Sequence, residues 1–203
     1  MSGFPARLAL ATSNRGKVAE VAAILAPRGV EILAADALVP GWQVVEDGVT
    51  FAENARRKAL DLVRRAGIPA LADDSGLAVA ALEGRPGVRS ARYAGEGASD
   101  AENVTRLLAE LRDVPDPERG AAFHCAVALA WPGGRLVEAE GRCEGKIARQ
   151  PRGSGGFGYD PVFIDLETGR SFAELPSDAK NARSHRRRAL EALAALLAAK
   201  AAT

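Results

Sequence analysis

Short unbroken apolar runs alternate along this chain with stretches where apolar residues return every three or four positions. That is the pattern of buried strands joined by amphipathic helices. Residues 8–11, Leu-Ala-Leu-Ala, predict a first buried strand. Behind it Val18, Val21, Ala22 and Leu25 recur at helical spacing until Pro27 and Gly29 end the helix. Residues 30–34 predict a second strand, and residues 35–49 a loop carrying Trp42, Glu46, Asp47 and Gly48. A capping box, Thr50-Phe51-Ala52-Glu53, opens the next helix. Its inner stripe is Phe51, Ala55, Ala59, Leu62 and Val63, while Arg56, Arg57, Lys58, Arg64 and Arg65 read as its solvated face. Two apolar runs, 68–71 and 77–82, then flank Ala72-Asp73-Asp74-Ser75-Gly76.

Beyond an arginine-dense loop at 85–95, Ser99-Asp100-Ala101-Glu102 is a second capping box, with Val104, Leu107, Leu108 and Leu111 facing inward. Residues 121–131 and 135–140 predict a β-hairpin around Pro132-Gly133-Gly134. A glycine-rich loop at 153–159 leads into a strand at 160–164. Ser177 is placed to cap one long final helix, whose apolar stripe is Leu190, Leu193, Ala194 and Leu197. No internal repeat or linker interrupts the series, so all 203 residues read as a single α/β domain.

Composition narrows the function classes. The 27 basic and 26 acidic residues leave a net charge of +1, which argues against a general nucleic-acid or membrane coat. No run is long enough to cross a bilayer, and the first residues lack the apolar core of a signal peptide. The only cysteines, Cys125 and Cys143, suit free thiols in a reducing cytoplasm.

The candidate chemistry begins at Asp73-Asp74. Adjacent carboxylates between apolar runs cost several kcal/mol unless neutralised. The usual neutraliser is a divalent cation, most often Mg²⁺ where phosphates are involved. On a regular strand the two side chains point to opposite faces, so one can serve a metal or a water while the other holds loop backbone. The plainer alternative is an Asp-Asp-Ser-Gly turn between two strands. Upstream, Thr12, Ser13, Asn14, Arg15, Gly16 and Lys17 join a strand to a helix N-terminus, where free N–H groups and the dipole favour an anion. Lys17 opposes that dipole unless an anion sits there. The segment is not a Walker A loop, since Ala11 and Val18 stand where that motif needs Gly and Ser or Thr. Gly153, Gly155 and Gly158 match G-x-G-x-x-G, but a strand rather than a helix follows, so a dinucleotide fingerprint is rejected. A glycine loop holding Phe157 and Tyr159 can instead bring backbone and ring against a base. The run 184–188, Ser-His-Arg-Arg-Arg, is the most basic spot and gives weak support to a nucleic-acid patch.

Taken together, Ser13-Asn14-Arg15-Gly16-Lys17, Phe51-Ala52-Glu53-Asn54-Ala55, Ala72-Asp73-Asp74-Ser75-Gly76-Leu77, Pro86-Gly87-Val88-Arg89-Ser90-Ala91-Arg92-Tyr93, Gly155-Gly156-Phe157-Gly158-Tyr159-Asp160-Pro161 and Lys180 with Ser184-His185-Arg186 resemble the inosine/xanthosine triphosphate pyrophosphatase family, in family order. The resemblance implies an elongated, twisted mixed sheet flanked by helices, two lobes around a central cleft, and a homodimer. It implies Mg²⁺-dependent hydrolysis of ITP, dITP and XTP to the monophosphate and pyrophosphate. By the same resemblance Thr12, Ser13, Asn14, Arg15, Gly16 and Lys17 hold the triphosphate. Asp74 is the proton acceptor and, with Glu46, a metal ligand; Asp73 supports them, and Ser75 contacts substrate. Phe157, Gly158, Tyr159 and Asp160 pack against and read the base, and Lys180, His185 and Arg186 bind substrate, the last two near the purine oxo edge. The rival readings are a Maf-type nucleotide pyrophosphatase, a nucleic-acid-binding module and a catalytically silent nucleotide-binding domain.

Overall fold

A computed structural model describes residues 3–201. Its six strands are β1 (Arg7–Leu10), β2 (Glu31–Ala34), β3 (Ala70–Val79), β4 (Gly120–Ala130), β5 (Leu136–Ile147) and β6 (Phe163–Asp165). They form one mixed sheet in the order β2-β1-β3-β4-β5-β6. β1 pairs in parallel with both β2 and β3, whereas β5 and β6 pair antiparallel. The helices are α1 (Arg15–Leu25), α2 (Ala35–Leu38), α3 (Phe51–Ala66), α4 (Asp100–Glu110), α5 (Ser177–Arg183) and α6 (His185–Ala201). Among the described residues no helix is long and apolar enough to cross a membrane.

The chain divides into two compact units. The first comprises residues 1–74, 125–141 and 186–203, and the second residues 75–124 and 142–185. In the first unit the two-residue period of the strands sorts the core into two layers. Leu8 and Leu10 of β1, Leu71 of β3, and Cys125, Val127 and Leu129 of β4 pack with Val21, Ile24 and Leu25 of α1 and with Leu190, Leu193 and Leu197 of α6. The intervening positions Ala9, Ala70, Ala72, Ala126, Ala128 and Ala130 pack with Ala55, Ala59 and Leu62 of α3. Large side chains thus face α1 and α6, and alanines let α3 lie close against the other face. Asp73 continues the Leu71 face and Asp74 the Ala70–Ala72 face. In the second unit Leu77 and Val79 join Val104, Leu107, Phe123, Phe163 and Phe172 in one cluster.

Several expectations need correction. Residues 70–79 are one unbroken strand, so Asp73-Asp74 is not a turn between two strands. The loop after β2 begins with a helical turn, α2. Thr50 accepts from the Glu53 amide, but Glu53 reaches back to Val49 rather than to Thr50, so this capping box is half formed. The box at Ser99 is complete. The final helix is two helices: Ser184 is extended, with ψ of 151°, and separates α5 from α6. Ser177 lies inside α5, and Pro176 occupies the cap. In the arginine-dense loop, Arg85 pairs with Glu110 and Arg92 with Glu96.

Within the second unit the buried Arg119 closes the end of α4 onto β5. Its guanidinium donates to the Leu111, Ile147 and Ala148 carbonyls at 2.5, 2.8 and 2.9 Å. Arg119→Met keeps the aliphatic volume and leaves those acceptors without partners. It is expected to lower stability by about 2–4 kcal/mol, because charged hydrogen bonds are lost and buried acceptors stay desolvated. Urea unfolding measures this, and a loss below about 0.5 kcal/mol would show that water replaces the guanidinium.

Candidate active site

Two adjacent positions of β3 organise the first unit. Asp73 and Asp74 are only 1% and 8% exposed, and strand geometry sends them to opposite faces. On one face Lys17 Nζ lies 3.0 Å from Asp73 Oδ2, to which Arg186 also donates from Nε at 3.2 Å and Nη2 at 3.1 Å. Arg186, 1% exposed, pairs through Nη1 with Glu20 of α1 as well. Burial pushes the Asp73 carboxyl up, but Lys17, then Arg186 and Lys58, pull it down harder, to well below the usual carboxylate range. Asp73 therefore gives Lys17, in the first turn of α1, one anionic partner within the fold, so the misplaced lysine is not by itself a sign of an external anion. Asn14 caps α1 by accepting from the Lys17 amide at 3.1 Å, and its own amide donates to the Thr12 hydroxyl at 3.2 Å. Ser13, Asn14 and Arg15 are exposed, while Gly16 and Lys17 are half-buried.

On the other face Asp74 Oδ2 accepts from Asn54 Nδ2 at 3.0 Å, and Oδ1 lies 3.5 Å from Lys58 Nζ. The same ammonium lies 3.0 Å from Glu46 Oε2. Burial raises the Asp74 proton affinity above that of an ordinary carboxyl, against the pull of Lys58, Lys17 and Asn54. Lys58 is held protonated: its burial is outweighed by Asp74, Asp73 and Glu46. Among the described residues no three His, Cys, Asp or Glu side chains gather as a metal cage. Glu46 and Asp74 converge on the Lys58 ammonium, and a pair of carboxylates is a donor set that a hard divalent cation can use, with water and phosphate as its other ligands.

The second unit holds the glycine-loop residues. Asp160 accepts from the Phe157 amide at 2.9 Å and pairs with Lys180, whose Nζ lies 4.5 Å from the Phe157 ring centre. Gly156 has φ of 71°, and a Cβ there would collide with the Asp160 carboxylate. The Gly158 amide donates to Asp100 at 2.7 Å, and the Tyr159 hydroxyl donates to the Ser90 carbonyl at 2.8 Å. Phe157 and Gly158 are half-buried, as is Ser75 on β3, while Tyr159 is buried. The buried His185 stacks on Phe123 with ring centres 4.8 Å apart.

Known proteins with this sequence pattern and backbone make the family plain. Residues 8–196 match the model of the Ham1 family. The chain belongs to that family. It is 53% identical over 187 residues to a Geobacter sulfurreducens protein named dITP/XTP pyrophosphatase, covering 92% of this chain and 94% of that one. A Geobacillus kaustophilus protein of the same name is 53% identical over 186 residues, with 92% and 91% covered. Among solved structures, a Coxiella burnetii HAM1 protein superposes with a TM-score of 0.84 at 42% identity, covering 95% of this chain and 98% of that one. A Mycobacterium abscessus nucleoside-triphosphatase / dITP/XTP pyrophosphatase gives 0.74 at 46% identity, with 92% and 98% covered. The Ham1 match contains all three clusters described above.

Three polar residues of this site were missed or misplaced in the sequence. Lys58, read as solvated, is 5% exposed and bridges Glu46 and Asp74. Asn54 is buried on Asp74, and Asp61 accepts from the Trp42 indole at 3.0 Å. Positions 54, 58 and 61 recur at helical spacing beside the alanine stripe, which was the available signal. The basic run at 184–188 is likewise dispersed: Arg186 is buried on acids and Arg187 pairs with Glu191.

The depressed Asp73 carboxyl sets a pH dependence. A group held below its unfolded value, about 3.9 for Asp, contributes stability above that value and loses it as pH falls toward the folded value. Asp73→Asn should therefore be less stable than wild type at pH 7, with the gap narrowing progressively below about pH 4. Thermal unfolding from pH 7 to pH 2 measures it, and a gap that stays constant through that range would contradict the assignment.

Proposed function

We propose that this protein hydrolyses the deaminated purine nucleoside triphosphates ITP, dITP and XTP to the monophosphate and pyrophosphate. The names of its close relatives support the substrate class. One observation within the chain carries the reaction: Asp74 is buried, has a raised proton affinity, and sits beside a protonated lysine and a second carboxylate. A buried carboxylate with a raised proton affinity is better suited than an ordinary one to take a proton from water. The water then adds across the α–β phosphoanhydride, and pyrophosphate leaves.

Lys17 and the exposed N-terminal turn of α1 bind the polyphosphate, Lys17 as a point charge and the turn through its N–H groups. Lys58 holds positive charge beside Asp74 where phosphate charge develops. Mg²⁺, bound by Glu46 and Asp74 together with substrate phosphates, would supply charge neutralisation at the anhydride. The sequence resemblance is what supports Phe157 as the ring that stacks on the base, Gly158, Tyr159, Asp160, Lys180 and His185 as its neighbours in the second unit, and Ser75 as a substrate contact. Donors at the 6-oxo edge favour hypoxanthine and xanthine over adenine, whose amino group leaves those donors unpaired at about 1–3 kcal/mol each. For Arg186, which is 1% exposed and paired with Asp73 and Glu20, only the sequence resemblance supports a role at that edge. The sequence resemblance is what supports Mg²⁺ as the metal, a homodimer as the assembly and the cytoplasm as the location.

The test is pyrophosphate release from ITP, XTP, dITP, GTP, ATP and pyrimidine triphosphates with Mg²⁺. The expected result is selective release from the first three, abolished by at least ~10² in kcat for Asp74→Asn, the range of general-base loss. Equal release from ATP, or an Asp74→Asn variant within a few-fold of wild type, would overturn the reading.

A further inference from the structure

The loop before α3 runs antiparallel along that helix and is fastened to it at successive positions. The Trp42 indole bonds Asp61, Glu46 pairs with Lys58, Asp47 with Arg57, the Gly48 amide donates to Asn54 Oδ1 at 2.8 Å, and the Val49 amide donates to Glu53 at 2.8 Å. Loop positions rise from 42 to 49 as helix positions fall from 61 to 53. Asn54 differs from the other partners because its amide serves two masters. While Oδ1 accepts from Gly48, Nδ2 donates to Asp74 Oδ2 at 3.0 Å. The donor at Gly48 permits only that orientation of the amide, since a flipped Asn54 would aim N–H at N–H and oxygen at carboxylate. Asn54 is 1% exposed, so neither lost bond would be replaced readily by water.

Gly48 has no left-handed φ, and so its backbone does not require glycine. What requires glycine is space. A Cβ at Gly48 would stand 2.6 Å from Asn54 Oδ1 and 3.0 Å from Glu53 Cβ. Real Cβ atoms do not approach that closely, and the buried amide would have to move.

We propose that Gly48 and Asn54 are positioning residues for the reaction: the missing Cβ of Gly48 seats the Asn54 amide, and that amide holds the Asp74 carboxylate by Oδ2. Oδ1, which Lys58 Nζ approaches only at 3.5 Å, is then the oxygen left to take the proton of water. The inference rests on the reading of Asp74 as the base. It also ties the loop that carries Glu46 to the carboxylate across from it, so both acids are aligned by one amide.

A double-mutant cycle tests the coupling. Gly48→Ala and Asn54→Ala should each lower kcat for ITP by ~10-fold or more, the scale found when supporting partners of a site are removed. KM should stay within about threefold. Combining them should cost no more than Asn54→Ala alone, because the added Cβ then has nothing to displace. In the substrate-free protein, the ¹⁵N–¹H resonances of the Asn54 side-chain amide should shift in Gly48→Ala. Thr50→Ala is the control: it removes the cap of the same helix start without touching the amide, and should lower the unfolding temperature while leaving kcat near wild type. Additive losses in the double variant, unmoved Asn54 resonances in Gly48→Ala, or a Thr50→Ala kcat as low as that of Gly48→Ala would each overturn the positioning role. Wild-type-like turnover by Asp74→Asn would instead sink the underlying assignment of the base.

Discussion

Two carboxylates that follow one another along a strand cannot share a face, and in β3 each meets its own cations from different helices. Asp73 is met by Lys17 from α1 and Arg186 from α6, and Asp74 by Lys58 from α3. Leaving either buried charge unmatched would cost about 3–5 kcal/mol. The helices are therefore tied to the strand electrostatically at the level where the leucine and alanine layers end. The size alternation of those layers and the charge alternation of Asp73-Asp74 are one two-residue period expressed in different chemistry.

That arrangement drives two neighbouring aspartates apart in acidity. Asp73, matched by full positive charges, is held ionised and fixes the position of the Lys17 ammonium. Asp74 has a neutral amide on one oxygen and a more distant ammonium on the other, and burial dominates. Pairs of acids whose surroundings separate their proton affinities mark a division between structural or binding work and proton transfer. The proposed reaction uses that division directly: one carboxylate sets charge in place, the other moves a proton.

Local signals carried much of the fold. The Ser99 capping box, the hairpin at Pro132-Gly133-Gly134 and the helix behind Lys17 lie where pattern and caps placed them. The strand continuity through Asp73-Asp74 did not, because polar residues in a strand imitate a turn until their partners are known. Those partners are remote: Arg186 is 113 positions from Asp73 and 166 from Glu20. Lys58 was hidden for the opposite reason, since a lysine among arginines on a helix has the local pattern of a solvated face. The break at Ser184 was also illegible, as Ser within a helical sequence carries no sharp stop. At the candidate site, motif order named the residues, and burial separates those held by internal partners, such as Asp73 and Arg186, from the exposed Ser13, Asn14 and Arg15.

The central claim is that Asp74 directs water onto the α–β anhydride of a 6-oxopurine triphosphate. Following ITP turnover by ³¹P NMR in ¹⁸O-enriched water with Mg²⁺ tests it most directly. The account predicts inosine monophosphate and pyrophosphate as the only phosphorus products, with one ¹⁸O incorporated per turnover. Orthophosphate and inosine diphosphate as first products, or no hydrolysis of ITP, would contradict it.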